Sequence, residues 1–283
     1  MDRTCYFHAG CPDGFGAAWS VWRAWGDSAR YVPRSHADVL PPKAHVGGTV
    51  VFVDIAPGNE ELRELSENAA QVVVLDHHLS AYDRYHADPS VDNLVQAGGH
   101  RVVFDLSHSG AVLAWRHFHP DTETPPLLAY VEDQDLWNWA LPASEEVNAA
   151  IGAHRRDFAV WDELDARGPD ALAREGEPIL RAQRAEVRRS VNTAHPVRVG
   201  GLRVEAVNSP HQRSHIGHEL AKRAAFGQPI GVVYRVTGTL VEASIYSIGD
   251  VDVSGIAQRY GGGGHRNASG FSVPLRRWLD EFC

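Results

Sequence analysis

Only three cysteines, Cys5, Cys11 and Cys283, occur in 283 residues, and no two are spaced as CxxC. An odd, scattered set excludes a disulfide framework and a thiolate zinc cage, and it fits a reducing compartment. Lysine is nearly missing: of 27 cationic residues only Lys43 and Lys222 are lysines. Either a GC-rich genome or a demand for bidentate phosphate contacts gives such a bias; the genome explanation is preferred, so the bias decides little. Positive charge is short overall, with 27 Lys and Arg against 36 Asp and Glu and a net charge of −9. A molecule of that charge repels duplex nucleic acid instead of coating it, so any phosphate partner has to be met at a local site. No apolar run approaches the roughly 18 residues of a membrane span. The opening stretch Asp2-Arg3-Thr4-Cys5-Tyr6-Phe7 lacks the charged and apolar regions of a secretory signal. The expectation is a cytoplasmic protein with no membrane partner. Internal repeats and low-complexity segments are lacking too.

What is present is an ordinary globular composition, 43% hydrophobic and 22% charged. At 31.1 kDa the chain suits one large domain or two modest ones and can bury a real core. Disorder, collagen and coiled coil are excluded by the same figures. The first half alternates short β-rich runs with helical stretches, the pattern of a parallel sheet covered by helices. Thr4–His8 reads as a strand. After it, Phe15, Ala18, Trp19, Trp22 and Trp25 recur at helical spacing, and packing on the sheet explains those aromatics. Val50–Val53 is a buried-type strand ending at Asp54, and Val72–Leu75 is another ending at Asp76-His77-His78.

Open α/β sheets form their sites beyond the carboxyl ends of the strands. Three strands that deliver His8, Asp54 and Asp76–His78 to one such edge make a constellation, the most informative feature of the chain. Further on, Ser109-Gly110-Ala111 opens a helix through Phe118, and Leu127–Val131 leads into Glu132-Asp133-Gln134-Asp135-Leu136-Trp137. An arginine-rich helical stretch, about 178–191, reads as a connector. Strands at Leu202–Val207, Ile230–Val236 and Leu240–Ser247, with helices near 214–226 and 254–260, form a second domain. The fold class is therefore α/β: an N-terminal domain with a largely parallel sheet covered by helices, plus a smaller α+β C-terminal domain. The boundaries are 1–180 for the first domain, 181–197 for a connecting helix, and 198–283 for the second domain. The site is expected in the cleft between the domains, a favoured place for ligand pockets.

A lone Asp at a strand end is usually a turn or helix cap. Taken together, His8, Asp13, Asp54, Asp76, His77, His78, Asp133 and Asp135 weaken that reading. Oxygen and imidazole donors without thiolate pairs suit Mn²⁺ or Mg²⁺, with Fe²⁺ or Co²⁺ next, better than structural zinc. Carboxylates delivered by separate elements are typical of two-metal hydrolases, where a shared carboxylate bridges the ions.

The string Val72-Val73-Val74-Leu75-Asp76-His77-His78 resembles the third motif of the DHH phosphoesterases, the group that includes nanoRNase-like oligoribonucleases and RecJ-related enzymes. His8-Ala9-Gly10-Cys11-Pro12-Asp13-Gly14 is similar to the first motif, Val53-Asp54 to the second and Glu132–Trp137 to the fourth. Gly261-Gly262-Gly263-Gly264-His265-Arg266-Asn267-Ala268-Ser269-Gly270 looks like the glycine-rich motif of the DHH-associated C-terminal domain. The resemblance covers the whole chain in family order. It implies that Asp54 bridges two metals and acts in catalysis, and that His8 helps hold one ion. Asp13, His77 and an acid of the fourth motif would hold the other. Asp76 would orient His77 or touch the metal edge, and His78 would face the scissile phosphate. Asp133 and Asp135 align in either register, with Asp133 preferred.

Two departures stand out. Where most relatives place the first Asp of Asp-x-Asp-Gly, this chain has Cys11. A thiolate ligand, a packing residue beside a weakened first metal site and a reactive nucleophile are the three readings. The nucleophile is disfavoured because no basic neighbour or clear helix N-terminus lowers its pKa, and a weakened or differently liganded site is preferred. In the C-terminal domain Tyr246 stands where relatives commonly show arginine; it would stack on a base or pack in the sheet. The glycine run is read as a nest of backbone N–H groups for a phosphate, formed by Gly262, Gly263 and Gly264, with His265 and Arg266 adding charge. Ser109 is a candidate phosphate contact for which helix capping is preferred. Trp137 and Trp139 are assigned to packing.

The expected activity is metal-dependent hydrolysis of phosphoesters in short oligonucleotides, dinucleotides or related nucleotides, with Mn²⁺ as the cofactor and Mg²⁺ or Co²⁺ as substitutes. The alternatives are a single-strand-specific exonuclease and a catalytically weakened nucleotide sensor. The expected partner is a short single-stranded nucleic acid or nucleotide, and a homodimer stays open.

Overall fold

A computed structural model describes residues 2–35, 38–41 and 43–283. It divides into two compact units, Met1–Leu180 and Arg181–Cys283. The first unit runs β1 (Arg3–His8), α1 (Pro12–Trp25), β2 (Arg30–Arg34), β3 (Thr49–Val53), α2 (Asn59–Asn68), β4 (Gln71–Asp76), α3 (Leu79–His86), α4 (Pro89–Ala97) and β5 (Arg101–Phe104). Helices α5 (Gly110–Phe118), α6 (Pro126–Asp135), α7 (Ser144–Ala153), α8 (Phe158–Arg167) and α9 (Pro169–Val191) follow. The division between the units falls inside α9, which carries Pro178 in its interior.

The five strands form one parallel sheet in the order β2-β1-β3-β4-β5. Its two faces explain the unbroken valine runs. Val51, Val53, Val73 and Leu75 pack under α1, α5 and α6 through Phe15, Trp19, Trp115 and Leu128. Their alternates Val50, Phe52, Val72 and Val74 pack on the other face with Leu62, Leu65, Tyr85, Val91 and Val95. A strand buried on both sides cannot alternate polar and apolar residues, so it reads as continuous hydrophobic sequence. β2 lacks that signature because it is an edge strand carrying two arginines and Pro33, a residue that edges tolerate.

The second unit contains β6 (His195–Val199), β7 (Leu202–Asn208), α10 (Arg213–Arg223), β8 (Ile230–Thr237), β9 (Leu240–Ser247), α11 (Ser254–Gln258), β10 (Gly263–His265), β11 (Ala268–Pro274) and α12 (Leu275–Glu281). Its six strands are ordered β10-β11-β9-β8-β7-β6 with one parallel pair, β7 with β8, so the sheet is mixed. Val232, Ala243, Ile245, Phe271, Trp278 and Phe282 form one core. Val207, Val233 and Tyr246 with Ile216 and Leu220 of α10 form the other. The fold is thus α/β with a largely parallel first sheet and a smaller α+β unit. The His195-Pro196 segment, taken from sequence as the end of the connector, is edge strand β6. Among the described residues no helix is long and apolar enough to cross a membrane.

Candidate metal centre

The sheet order reverses between β1 and β3, the crevice where doubly wound sheets of this order place their ligands. His8 ends β1, Asp54 follows β3, and Asp76 ends β4 with His77 and His78 next. α1 contributes Asp13 at its second position and α6 contributes Asp135 as its last residue. Two glycines make the approach feasible. A Cβ on Gly14 would lie 2.2 Å from the His8 carbonyl oxygen, and one on Gly110 would lie 2.3 Å from Asp54 Cβ. Asp54 itself adopts φ +57°, a left-handed conformation costing a non-glycine residue about 1–3 kcal/mol, which surrounding structure must hold in place. Its amide donates to the Leu75 carbonyl at 2.9 Å.

Three carboxylates converge on one imidazole nitrogen. His77 Nε2 lies 3.0 Å from Asp54 Oδ1, 3.5 Å from Asp13 Oδ2 and 3.5 Å from Asp135 Oδ2. On the other side, Asp54 Oδ2 lies 3.4 Å from His8 Nδ1. The ligand atoms of Asp13, His77 and Asp135 fall within 4.8 Å of one another, and so do those of His8, Asp54 and His78. Asp54 thus turns one oxygen to each group. Asp76 Oδ1 meets His78 Nδ1 at 2.7 Å and accepts the His77 and His78 amides at 2.8 and 3.3 Å. Its orienting contact is therefore with the His78 ring, not the His77 ring expected from sequence, because the ring two residues on folds back over the carboxylate.

Electrostatics shows how crowded the centre is. Burial pushes the Asp13 carboxyl well above the usual range, and Asp54 and Asp135 add to it. Burial raises Asp135 as well, with His77 opposing and Asp54 reinforcing. Asp54 moves the other way: burial is outweighed by hydrogen bonds from His77 and His8, which hold it well below the carboxylate range. Burial would lower His77, yet the Asp54 hydrogen bond and the carboxylates of Asp135, Asp54 and Asp13 carry it up to about 10. His8 is also raised, burial being overcome by Asp54.

The residues fit a divalent cation on two counts. Asp135 Oδ2 and Asp76 Oδ2 are buried oxygens without a hydrogen-bond partner. Buried like charges also persist only with positive charge among them, and a carboxylate–imidazole donor set suits divalent transition metals.

Other expected residues lie elsewhere. Asp133, the preferred acid of the fourth motif, is a correction: its carboxylate accepts the Ala140 and Leu141 amides at 2.9 and 3.2 Å, and its carbonyl accepts those of Asn138 and Trp139. It builds the turn that follows α6, in which Trp137 and Trp139 sit at φ +58° and +51°. Ser109 caps α5 through Val112 N–H, while Gly110 and Ala111 N–H bind both oxygens of Asp13 at 2.7 and 2.9 Å.

In the second unit, Gly262 N–H, one of the three amides of the expected nest, donates to the Ala257 carbonyl, and Gly261 N–H donates to the Gln258 carbonyl. Gly263, Gly264 and His265 make up β10 against Gly270, Ser269 and Ala268, and a Cβ on Gly262 would lie 2.0 Å from the Gly270 oxygen. Arg266 donates to the Asp250 carbonyl. Tyr246 is buried against α10, where a Cβ on Gly217 would lie 2.0 Å from its ring, so its role is packing. Cys11 is the N-cap of α1, a helix terminus that sequence reasoning did not see. Even so, burial and then Asp54, Asp13 and Asp135 hold its thiol well above the ordinary value, which argues against a nucleophile. Sequence reasoning counted His78 in the donor set but gave it the phosphate-facing role, and it missed Gly110 as the space for Asp54; the Gly after Ser109 was the available signal.

The fold is shared with a solved α/β structure. An exopolyphosphatase-related protein from Bacteroides fragilis matches with a TM-score of 0.52 and 12% identity, over 96% of this chain and 86% of that one. A pGpG-specific phosphodiesterase from Vibrio cholerae aligns at a TM-score of 0.47 and 11% identity, over 98% and 95%. In sequence, the chain is 27% identical to an uncharacterized protein of Acanthamoeba polyphaga mimivirus over 289 residues, 94% of this chain and 66% of the relative's length. No family model matches the chain.

Proposed function

We propose that the chain is a metal-dependent phosphoesterase that hydrolyses short oligonucleotides, dinucleotides or related nucleotide phosphoesters. The carrying observation is Asp54, which presents Oδ1 to His77 and Oδ2 to His8 from a strained backbone at the carboxyl edge of the sheet. Asp13, His77 and Asp135 would hold one cation, and His8, Asp54 and His78 the other, with Asp54 shared. Bound divalent cations, Mn²⁺ in the first instance and Mg²⁺ or Co²⁺ in its place, supply Lewis-acid charge opposite the phosphoryl oxygens.

The remaining work belongs to the chain's own side chains. Asp76 fixes the His78 ring through Nδ1, leaving Nε2 as the atom that meets cation or phosphate, the role second-sphere carboxylates give to histidines. Asp13 ties α5 to the centre, so the amide end of that helix stands over the acids and eases their charge. Gly262 lets β10 lie close on β11 in the second unit. The net charge of −9 favours short anionic substrates over long duplexes.

The test is release of mononucleotide from short RNA under Mn²⁺, beside short DNA, cyclic dinucleotides, nucleoside bisphosphates and polyphosphate. Turnover lost in Asp54→Ala is the expected result. Tight nucleotide binding without turnover by the native chain would instead make it a sensor.

A further inference from the structure

One thiol sits inside the candidate centre and has no part in the chemistry proposed so far. Cys11 Sγ donates to Asp54 Oδ2 at 3.4 Å and lies 3.6 Å from His8 Nδ1. Those two residues belong to the group, with His78, whose ligand atoms fall within 4.8 Å of one another. The sulfur also receives the Gly14 amide at 3.2 Å and caps α1. Capping does not account for a cysteine, since Ser, Thr, Asp and Asn are the side chains that cap best. Nor does apolar packing: Cys5 is the thiol that packs in the core, fully buried beside Phe7 and Val51, whereas the polar neighbours of Cys11 are a carboxylate, an imidazole and an amide.

We propose that Cys11 Sγ is a metal ligand, completing the His8, Asp54 and His78 group as a mixed nitrogen, oxygen and sulfur site. On binding, the S–H bond breaks, the thiol proton leaves to solvent and a sulfur–metal bond forms. The inference rests on the reading of the cluster as a metal centre and sharpens it by making the two positions unlike. The Asp13, His77 and Asp135 position, with the shared Asp54, offers three oxygens and one nitrogen, a hard set suited to manganese or magnesium. The Cys11 position carries a soft donor and selects zinc, cobalt or iron(II).

The experiment is a Co²⁺ titration of the intact protein, read by absorption and by equilibrium dialysis, in native and Cys11→Ser forms. Serine keeps a capping oxygen, so the variant retains its helix start, which far-ultraviolet circular dichroism checks. The expected result is a near-ultraviolet sulfur-to-cobalt charge-transfer band that saturates with one bound Co²⁺, is lost in Cys11→Ser, and leaves the visible ligand-field bands in place. Cobalt binding without that band overturns the ligand role while the metal centre stands. A band that survives Cys11→Ser belongs to another thiol, such as exposed Cys283, and overturns it as well. An absence of cobalt binding removes both the ligand and the centre. As a second reading of the same claim, Cys11→Asp replaces the soft donor by a hard one and should move the competition between Zn²⁺ and Mn²⁺ towards Mn²⁺ by at least about tenfold; an unchanged ratio counts against the proposal.

Discussion

At the carboxyl edge of the five-stranded sheet, Asp13, Asp54 and Asp135 converge on a single nitrogen of His77, and two buried carboxylate oxygens have no hydrogen-bond partner. Around the glycine run of the six-stranded sheet four residues find partners locally: Gly261 and Gly262 bond to the end of α11, Arg266 to Asp250, and Asn267 to Ser247, Gly249 and Val251. The two regions carry equally conspicuous sequence motifs, yet the first holds buried carboxylate oxygens without partners, whereas these four residues of the second are satisfied by their neighbours. Buried charge that its neighbours do not neutralise marks a place kept for a ligand, whereas glycines whose absent Cβ would collide with backbone mark a place kept for architecture.

The largest expected effect tests that division. Asp54→Ala should lower phosphoesterase turnover by at least about 10²–10³-fold, the scale of losing one preorganised electrostatic group. Arg266→Ala should change it by much less, and a larger loss in the second variant would break the contrast. Next, Asp135→Asn should weaken Mn²⁺ binding by about 10–100-fold with the fold intact, as measured by calorimetry. Asp133→Ala should leave metal affinity nearly unchanged and instead cost about 1–3 kcal/mol of stability, since the Ala140 and Leu141 amides lose their acceptors; urea unfolding separates the two. Gly110→Ala and Gly262→Ala should each destabilise by about 1–3 kcal/mol through overpacking, but only Gly110→Ala, which pushes on Asp54, should also reduce metal affinity.

The remaining pair of effects are opposite pH dependences. In the metal-free protein His77 is raised to about 10 from an unfolded value near 6.5. Its contribution to stability is therefore complete below pH about 6.5 and lost as pH rises through about 10. His218, on α10, is lowered by burial, with His215 and Lys222 adding to burial and the Ser214 carbonyl opposing. Its contribution is present above about 6.5 and lost as pH falls through the lowered value. Unfolding free energies of His77→Gln and His218→Gln against pH check the signs. Because a cation at His77 must displace its proton, metal affinity should rise with pH.

How much could be read in advance depended on whether a signal was local. The Val50–Val53 and Val72–Leu75 runs are buried on both faces, so their strands and the polar residues at their ends were visible in the sequence. β2 and β6 were not, since an edge strand with proline and arginine has no apolar run to show. Asp133 and Asp135 stand two apart on one helix and point to different sides, which spacing alone leaves open. Whether Asp76 turns to His77 or His78 depends on a side-chain rotation after the strand has ended. The glycine run shows the opposite difficulty: its residues suggested a phosphate nest, while the Gly262 amide closes the end of α11 and Gly263–His265 form a short strand.

The central claim is that acids and imidazoles from separate elements form a cage for two cations that share Asp54. Anomalous diffraction from a crystal equilibrated with saturating Mn²⁺ tests it most directly. The account predicts one peak among Asp13, His77 and Asp135 and a second among His8, Asp54 and His78, the second weaker if sulfur disfavours manganese there. A map without a peak at either position would contradict it.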